Sequence, residues 1–269
     1  MLRIFCITVI VAIGVAPASP AQPRNQGFGR SPDAWCADAG DGNRASHCEV
    51  REETIGGANP LDVDAGRNGG ISVRGWDRGD VLIRSRIVGN ADSDAEARRI
   101  VANVRIETAG GRVRVDGSGM TDAHWSVSFE IQVPRSAQLT LKTHNGGLAI
   151  DDFRGTAQFR CQNGGVSLRN VGGDIRGATT NGGLNIDLSG DRWDGAGLDV
   201  ETHNGGIRIA VPEIYSAELE TATTNGRVNI DFPITVQGLI SRQLTTTLGA
   251  GGARVRAVTT NGGVSVHRR

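Results

Sequence analysis

The sequence contains few aromatic residues and no excess of charge of either sign. Aromatic residues make up 4% of its 269 positions, and 29 basic side chains balance 29 acidic ones. Neither sign is gathered into a long block, so the basic stripe that a nucleic acid or an anionic lipid surface requires is missing. We therefore expect no nucleic-acid partner and a core of aliphatic side chains.

Long hydrophobic runs are also missing, apart from one at the N-terminus. That run, Ile4 to Ala16, follows Arg3 and precedes a stretch of small residues that ends at Ala21. This arrangement is typical of a secretory signal peptide, and the run is shorter than the roughly 20 apolar residues that cross a bilayer. Residues 1–21 are therefore predicted to be a signal peptide, cleaved after Ala21 or alternatively after Ala18. The mature protein is expected in the periplasm, at the cell surface or in the medium, without a membrane span.

Cysteine is scarce as well, and its spacing predicts one disulfide. Cys36 and Cys48 bracket a loop rich in Gly, Asp and Asn. In an oxidising compartment such a pair favours a disulfide, whereas the cysteines of a zinc-binding pair usually stand about two to four residues apart. Cys161 is interpreted as a small buried residue of the core.

Glycine, in contrast, is abundant at 39 residues, and much of it stands in a repeated Asn-Gly pair. The pair recurs at intervals of 18, 18, 23, 21 and 36 residues, and a period near 20 is the signature of a repeat architecture. A further copy, Asn68-Gly69-Gly70, lies outside this series. The predicted structural turn residues are Asn145, Gly146, Asn163, Gly164, Asn181, Gly182, Asn204, Gly205, Asn225, Gly226, Asn261 and Gly262.

The residues around each Asn-Gly pair form columns of like chemistry. Aliphatic side chains stand three and five residues after each Asn, as Leu184 and Ile186 do after Asn181. The position between them, Asn185 in this copy, is small or polar in most copies, as expected of a strand with one buried face. Two residues before each Asn stands Thr, or Cys161 in one copy. Each copy therefore predicts a strand, an Asn-Gly turn and a second strand.

Two architectures fit this pattern. Asn-Gly favours the tight turns of antiparallel hairpins, so an antiparallel β-meander or sandwich is the alternative prediction. A meander gives no reason for Thr, Asn and Gly to recur in register, whereas a solenoid stacks equivalent positions about 4.8 Å apart. The favoured prediction is an all-β fold, a parallel β-solenoid with coils of about 18–23 residues. In it, stacked Asn side chains would hydrogen-bond from coil to coil.

The chain is predicted to divide into four parts. Residues 1–21 are the signal peptide, and residues 22–53 form a flexible arm that includes the disulfide loop. Residues 54–138 hold further strands and one short capping helix, which is expected to begin after Ser93 because a Ser cap is followed by Glu three residues later. Residues 139–269 form the Asn-Gly repeat solenoid.

Three features of the sequence resemble a known family. They are the tandem Asn-Gly-Gly turns followed by aliphatic-x-aliphatic, the segment Ile131-Gln132-Val133-Pro134, and Leu248-Gly249-Ala250-Gly251-Gly252 before the last repeat. Over about residues 50–269 the sequence resembles the bacterial putative-adhesin domain of unknown function. The resemblance implies an exported β-solenoid-like domain and supplies no catalytic residues.

The alternative function is that of a polysaccharide-acting β-helix enzyme. Asp151 and Asp187 occupy one outward column, about 10 Å apart, near the upper limit for an inverting carboxylate pair. Arg169 stands between them, and alternating charges are typical of a salt-bridge ladder. A domain that is not an enzyme is therefore the favoured interpretation.

No metal or cofactor site is expected. His144 and His203 share a column, but three coils, or about 14 Å, separate them, which is too far for one metal ion. The Asn-Gly-Gly turns also lack the recurrent Asp of calcium-binding β-roll repeats.

The leading functional prediction is an adhesin or a cell-envelope binding or scaffold module. Its partner would be an envelope component, a surface or a glycan, because a solenoid presents long regular faces to extended partners. Trp193 and Tyr215 stand in the longer loops between repeats and are the predicted surface contacts, since exposed aromatic residues often anchor interfaces.

Overall fold

The computed structural model describes residues 28–40, 44–57, 59–117, 124–233 and 242–269; the predicted signal peptide lies outside them. The described residues form helices α1 (Pro32–Cys36) and α2 (Asp94–Asn103), a 3₁₀ turn (Ala109–Gly111) and twenty strands. The strands are β1 (Ala45–Ile55), β2 (Leu61–Asp64), β3 (Ile71–Trp76), β4 (Val81–Ala91), β5 (Arg105–Glu107), β6 (Arg112–Asp116), β7 (His124–Pro134), β8 (Gln138–Asn145), β9 (Leu148–Asp151), β10 (Thr156–Asn163), β11 (Val166–Arg169), β12 (Asp174–Asn181), β13 (Leu184–Asp187), β14 (Gly197–Asn204), β15 (Ile207–Val211), β16 (Ala217–Asn225), β17 (Val228–Ile230), β18 (Gln243–Leu248), β19 (Arg254–Asn261) and β20 (Val264–Arg268).

The strands form two ten-stranded sheets. Sheet A has the order β1-β4-β7-β3-β9-β11-β13-β15-β20-β17, and sheet B has the order β18-β16-β19-β14-β12-β10-β8-β2-β6-β5. Strands of neighbouring repeats pair in parallel and in register, with Asn163 opposite Asn181 and Leu168 opposite Ile186. Antiparallel pairs occur towards the ends of the sheets, as between β1 and β4 and between β16 and β18. The predicted parallel β-solenoid is therefore confirmed over the alternative antiparallel meander.

The coils do not stack in the order of the sequence. One coil consists of a sheet B strand, an Asn-Gly turn and a sheet A strand. The C-terminal coil β19–β20 lies between β14–β15 and β16–β17, because β19 pairs with both β14 and β16 while β20 pairs with both β15 and β17. Strand β18 pairs antiparallel with one edge of β16, at the end of sheet B. The chain then turns back, and β19 pairs in parallel with the opposite edge of β16.

The inward side chains of both sheets pack into one aliphatic core. Strand β13 is representative, since Leu184 and Ile186 are buried while Asn185 between them is exposed. Cys161 belongs to this core, as predicted, and burial raises the pKa of its thiol. The alternation of buried and exposed residues places alternate side chains of each strand on the outer face of its sheet.

Helix α2 begins where the sequence predicts. The Ser93 hydroxyl accepts a hydrogen bond from the Glu96 backbone amide at 3.3 Å, which caps the first turn. At the other end Arg51 donates to the carbonyl oxygens of Val101 and Val104, at 3.1 and 2.8 Å. The helix packs against β1 and β4, and it therefore covers one end of sheet A, in agreement with its predicted capping role.

The region predicted as a flexible arm contains regular structure. Helix α1 begins at Pro32 behind a Ser31 cap, and Trp35 within it is buried. Strand β1 pairs with β4 along its whole length, so residues 45–53 are part of sheet A. The burial pattern of β1 lacks a clear alternation, because α2 packs against it as well as the sheet. A pattern search for one buried face therefore misses this strand.

A disulfide joins Cys36 of α1 to Cys48 of β1. We expect mass spectrometry of the natively alkylated protein to recover these two cysteines in one linked peptide. Cys161 should alkylate slowly, because its raised thiol pKa and its burial both disfavour the reactive thiolate. Denaturant should make Cys161 react at once and serves as the control. Fast alkylation of Cys36 and Cys48 in the unreduced native protein would contradict the bridge.

Candidate functional site

The predicted turn residues form a continuous ladder along one edge of the solenoid. Starting at Asn225, each Asn side-chain amide donates to the side-chain oxygen of the next Asn in the stack at 2.7–3.0 Å, and Asn68 is the last acceptor. Asn68, the outlying copy, is thus a member of the stack. Because the ladder uses the amides to join coils, these residues stabilise the solenoid in the manner of a cross-β polar ladder.

The Thr column forms a second ladder beside the first. Thr179 donates its hydroxyl to the carbonyl oxygen of Gly164 in the preceding coil at 2.9 Å, and Thr202 does the same to Gly182 at 2.7 Å. Cys161 occupies the equivalent place, with its sulfur 3.3 Å from the carbonyl oxygen of Gly146. The Cys161 thiol therefore takes the place that a Thr hydroxyl has in the neighbouring coils.

Two separate ion pairs, rather than the predicted ladder, engage the acidic column on sheet A. Arg169 donates to both oxygens of Asp151, at 2.7 and 3.0 Å, and this hydrogen bonding raises the pKa of the Arg169 guanidinium. Asp187 pairs with Arg269 at 3.1 Å. Both carboxylates that a catalytic pair would need are therefore engaged by arginines.

The two column histidines lie as far apart as predicted. His144 belongs to β8 and His203 to β14, and strands β10 and β12 lie between them in sheet B. Within the described part of the chain, no three His, Cys, Asp or Glu side chains converge as metal ligands.

An open groove of about 440 Å³ crosses the outer face of sheet B. Arg160 of β10 and Arg176 of β12 line one side, and Asp199 and Glu201 of β14 line the other. Ala178 of β12 lies between the two sides, because Arg160 and Glu201 stand opposite it in the two neighbouring strands. A concavity of this size with a few charged groups has the dimensions of a small-ligand site.

The family is decided by the sequence match. The family model described as Toastrack DUF4097 matches residues 58–267. The chain belongs to this family. The match confirms the resemblance drawn from the repeats. In the described part of this Toastrack domain no helix combines the length and the apolar character needed to cross a membrane.

No curated protein matches the Toastrack chain, but several solved structures resemble it. A "putative cell adhesion protein" from Clostridium sporogenes has 10% identity and a TM-score of 0.39, over 83% of this chain and 100% of that chain. A "putative adhesin" from Parabacteroides merdae has 11% identity and a TM-score of 0.36, over 81% of this chain and 96% of that chain. A "putative lipid binding protein" from Parabacteroides distasonis has 9% identity and a TM-score of 0.31, over 81% and 96% of the two chains.

Trp193 and Tyr215 are not surface residues of the Toastrack domain. Each is 4% exposed. The Trp193 ring nitrogen donates to the carbonyl oxygen of Gly173 at 3.0 Å, and burial raises the pKa of the Tyr215 hydroxyl to about 12. The prediction that these rings contact a partner is therefore wrong, because the longer loops fold back and add both rings to the core.

A buried ion pair on the outer face of sheet A is not apparent from the sequence. Arg84 donates to Glu130, directly opposite in the neighbouring strand, at 2.5 Å, and to the carbonyl oxygen of Arg30 at 2.6 Å. Burial raises the pKa of Glu130. These contacts hold the segment before α1 against the sheet. The contact between Arg84 and Glu130 depends on the long-range pairing of β4 with β7. No local sequence motif predicts that pairing.

Arg160 and Glu201 are also not apparent as a pair in the sequence. Both stand three residues before a repeat Asn, and this column varies from coil to coil. A search for recurring residues therefore passes over it. A comparison of neighbouring coils, rather than a search for shared residues, would have found the opposite charges on either side of Ala178.

Proposed function

We propose that this Toastrack domain is an exported, non-catalytic binding or scaffold module of the cell envelope, whose partner is an envelope component, a surface or a glycan. The observation that carries the proposal is the groove on the outer face of sheet B, which is open and bordered by side chains of both charges. In-register strands and two side-chain ladders hold this face rigid. A preorganised surface binds a partner with a smaller loss of conformational entropy.

The polysaccharide-enzyme alternative has less support from the side chains. Its best acidic pair, Asp151 and Asp187, lies on sheet A, away from the groove, and both residues pair with arginines. An inverting hydrolase needs one carboxylic acid that donates a proton and one carboxylate that activates water. The contacts of these two residues instead fit a role in joining coils.

The test combines a glycan array, isolated cell-wall and membrane fractions, and a polysaccharide-degradation assay on the mature protein. We expect retention of one of these components without release of reducing or unsaturated sugar ends. The double variant Asp151→Asn/Asp187→Asn should bind equally well, since neither residue contributes to the groove. Asp77→Asn, which changes an exposed carboxylate paired with Arg135, controls for the loss of an ion pair as such.

Two results would contradict the proposal. Sugar-end release by the wild type but not by the double variant would identify an enzyme, because an amide cannot act as a general acid or base. Failure of the wild type to retain any glycan, wall or membrane fraction would remove the binding role.

A further inference from the structure

The charged side chains on the outer face of sheet B are mostly paired, with two exceptions at the groove. Ion pairs link Lys142 to Asp64 at 3.2 Å, Arg176 to Asp174 at 2.9 Å, and Arg256 to Asp199 at 2.6 Å. No hydrogen bond or ion pair within the described residues engages Arg160 or Glu201, although Glu201 lies within electrostatic range of Arg256.

The two exceptions lie in one row across the strands. Arg160 stands opposite Ala178, and Ala178 stands opposite Glu201. Since neighbouring strands lie about 4.8 Å apart, the two backbone positions are separated by about 10 Å. The short side chain of Ala178 leaves the space between the opposite charges open.

The floor of this space carries little side chain. Ala178 is the outward residue there, whereas Leu141 and Phe159, whose strands also line the groove, bury their side chains on the inward face of the sheet. The Phe159 ring packs directly on Gly177, where an added Cβ would come within 2.5 Å of ring atoms. The missing side chain at Gly177 thus makes room for the ring on the inward face of the sheet, where Phe159 is buried in the core.

We propose that this groove binds a short zwitterionic peptide, with its carboxylate at Arg160 and its free amino group at Glu201. The proposal rests on the binding function argued above and names the ligand class of the same site. A purely anionic ligand would meet Glu201 at one rim, and a purely cationic one would meet Arg160 at the other. A ligand with one charge of each sign is complementary to both.

The length of the ligand follows from the distance of about 10 Å between the backbone positions of Arg160 and Glu201. An extended chain covers at most about 3.3–3.6 Å per residue, so about three residues span the distance between the two rims. The guanidinium of Arg160 can hold a carboxylate through two parallel hydrogen bonds. The peptide would lie across the strands, with small side chains over Ala178.

Calorimetric titration of the mature protein with Ala-Ala-Ala tests the proposal. We expect saturable binding that weakens about fivefold when the N-terminus is acetylated or the C-terminus is amidated, which is the loss of one exposed charge pair. In Arg160→Gln, amidation should have no further effect, and in Glu201→Gln, acetylation should have none. Arg112→Gln, which changes an exposed arginine on another strand of sheet B, is the matched control and should bind like the wild type.

A charge exchange distinguishes direct contact from a general change of potential. Arg160→Glu/Glu201→Arg should recover binding that each single charge reversal loses, with the peptide reversed in the groove. Equal binding of free and capped peptides, or unchanged binding by both Gln variants, would overturn the proposal. So would the absence of saturable binding at millimolar Ala-Ala-Ala. A protein that still retains glycan, wall or membrane fractions would in that case keep its proposed binding function.

Discussion

Replacing Ile186 with Asp is expected to lower the free energy of unfolding by about 4 kcal/mol. Ile186 is 2% exposed and lies in β13, in the middle of the parallel stack, with Leu168 and Ile209 opposite it in the neighbouring strands. A carboxylate at this position would be removed from water without a partner. Because each coil is stabilised mainly by its neighbours, the loss should spread to the coils on both sides.

The matched control is Asn185→Asp, one position earlier in the same strand. Its side chain is exposed on the outer face of sheet A, so the same new charge remains in water and should change the free energy of unfolding by less than about 0.5 kcal/mol. Denaturant unfolding followed by circular dichroism measures both. Equal destabilisation by the two variants would mean that the inward and outward faces are assigned incorrectly.

Gly164→Ala is expected to destabilise the solenoid by about 3 kcal/mol, although it adds only one methyl group. The new Cβ would lie 2.2 Å from the carbonyl oxygen of Gly146 in the preceding coil. That oxygen belongs to the backbone and cannot move unless the two coils separate. The adjacent Asn163 bonds to Asn145 and Asn181, so this separation would also disturb the Asn ladder.

The neighbouring glycine provides the control. In Gly165→Ala the new Cβ would lie 3.5 Å from its nearest neighbour, the carbonyl oxygen of Gly183, which is an ordinary contact distance. We expect this variant to unfold within about 0.5 kcal/mol of the wild type. A milder effect for Gly164→Ala than for Gly165→Ala, measured by thermal and denaturant unfolding, would contradict the assigned contact between turns.

The repeat columns could be predicted because each reports a local rule applied many times. Leu184 and Ile186 flank Asn185 as any half-buried strand requires, and the recurrence of this pattern in register distinguishes a stack from a meander. Ser93 likewise indicates a helix start by its own chemistry. Such signals need no knowledge of distant residues.

The binding groove could not be predicted in the same way. Arg160 and Glu201 lie far apart in sequence, and they flank one depression only because Ala178 is small and lies between them in the sheet. The burial of Trp193 could not be predicted either. The sequence places Trp193 in a long loop, and only tertiary contacts direct that loop onto the core.

The sequence alone determines four features: the parallel solenoid, its inward and outward columns, its Asn-Gly turns and the helix after Ser93. Each of them depends on the alternation of side chains or on a local hydrogen bond. Only the tertiary structure decides that the C-terminal coil lies between β14–β15 and β16–β17. All repeats present nearly the same strand edges for backbone pairing, so any coil can pair with any other. Local sequence patterns therefore do not distinguish the order of the coils. The order depends on long-range contacts such as the pairing of β18 with β16, which occupies the outer edge and leaves the inner position to β19.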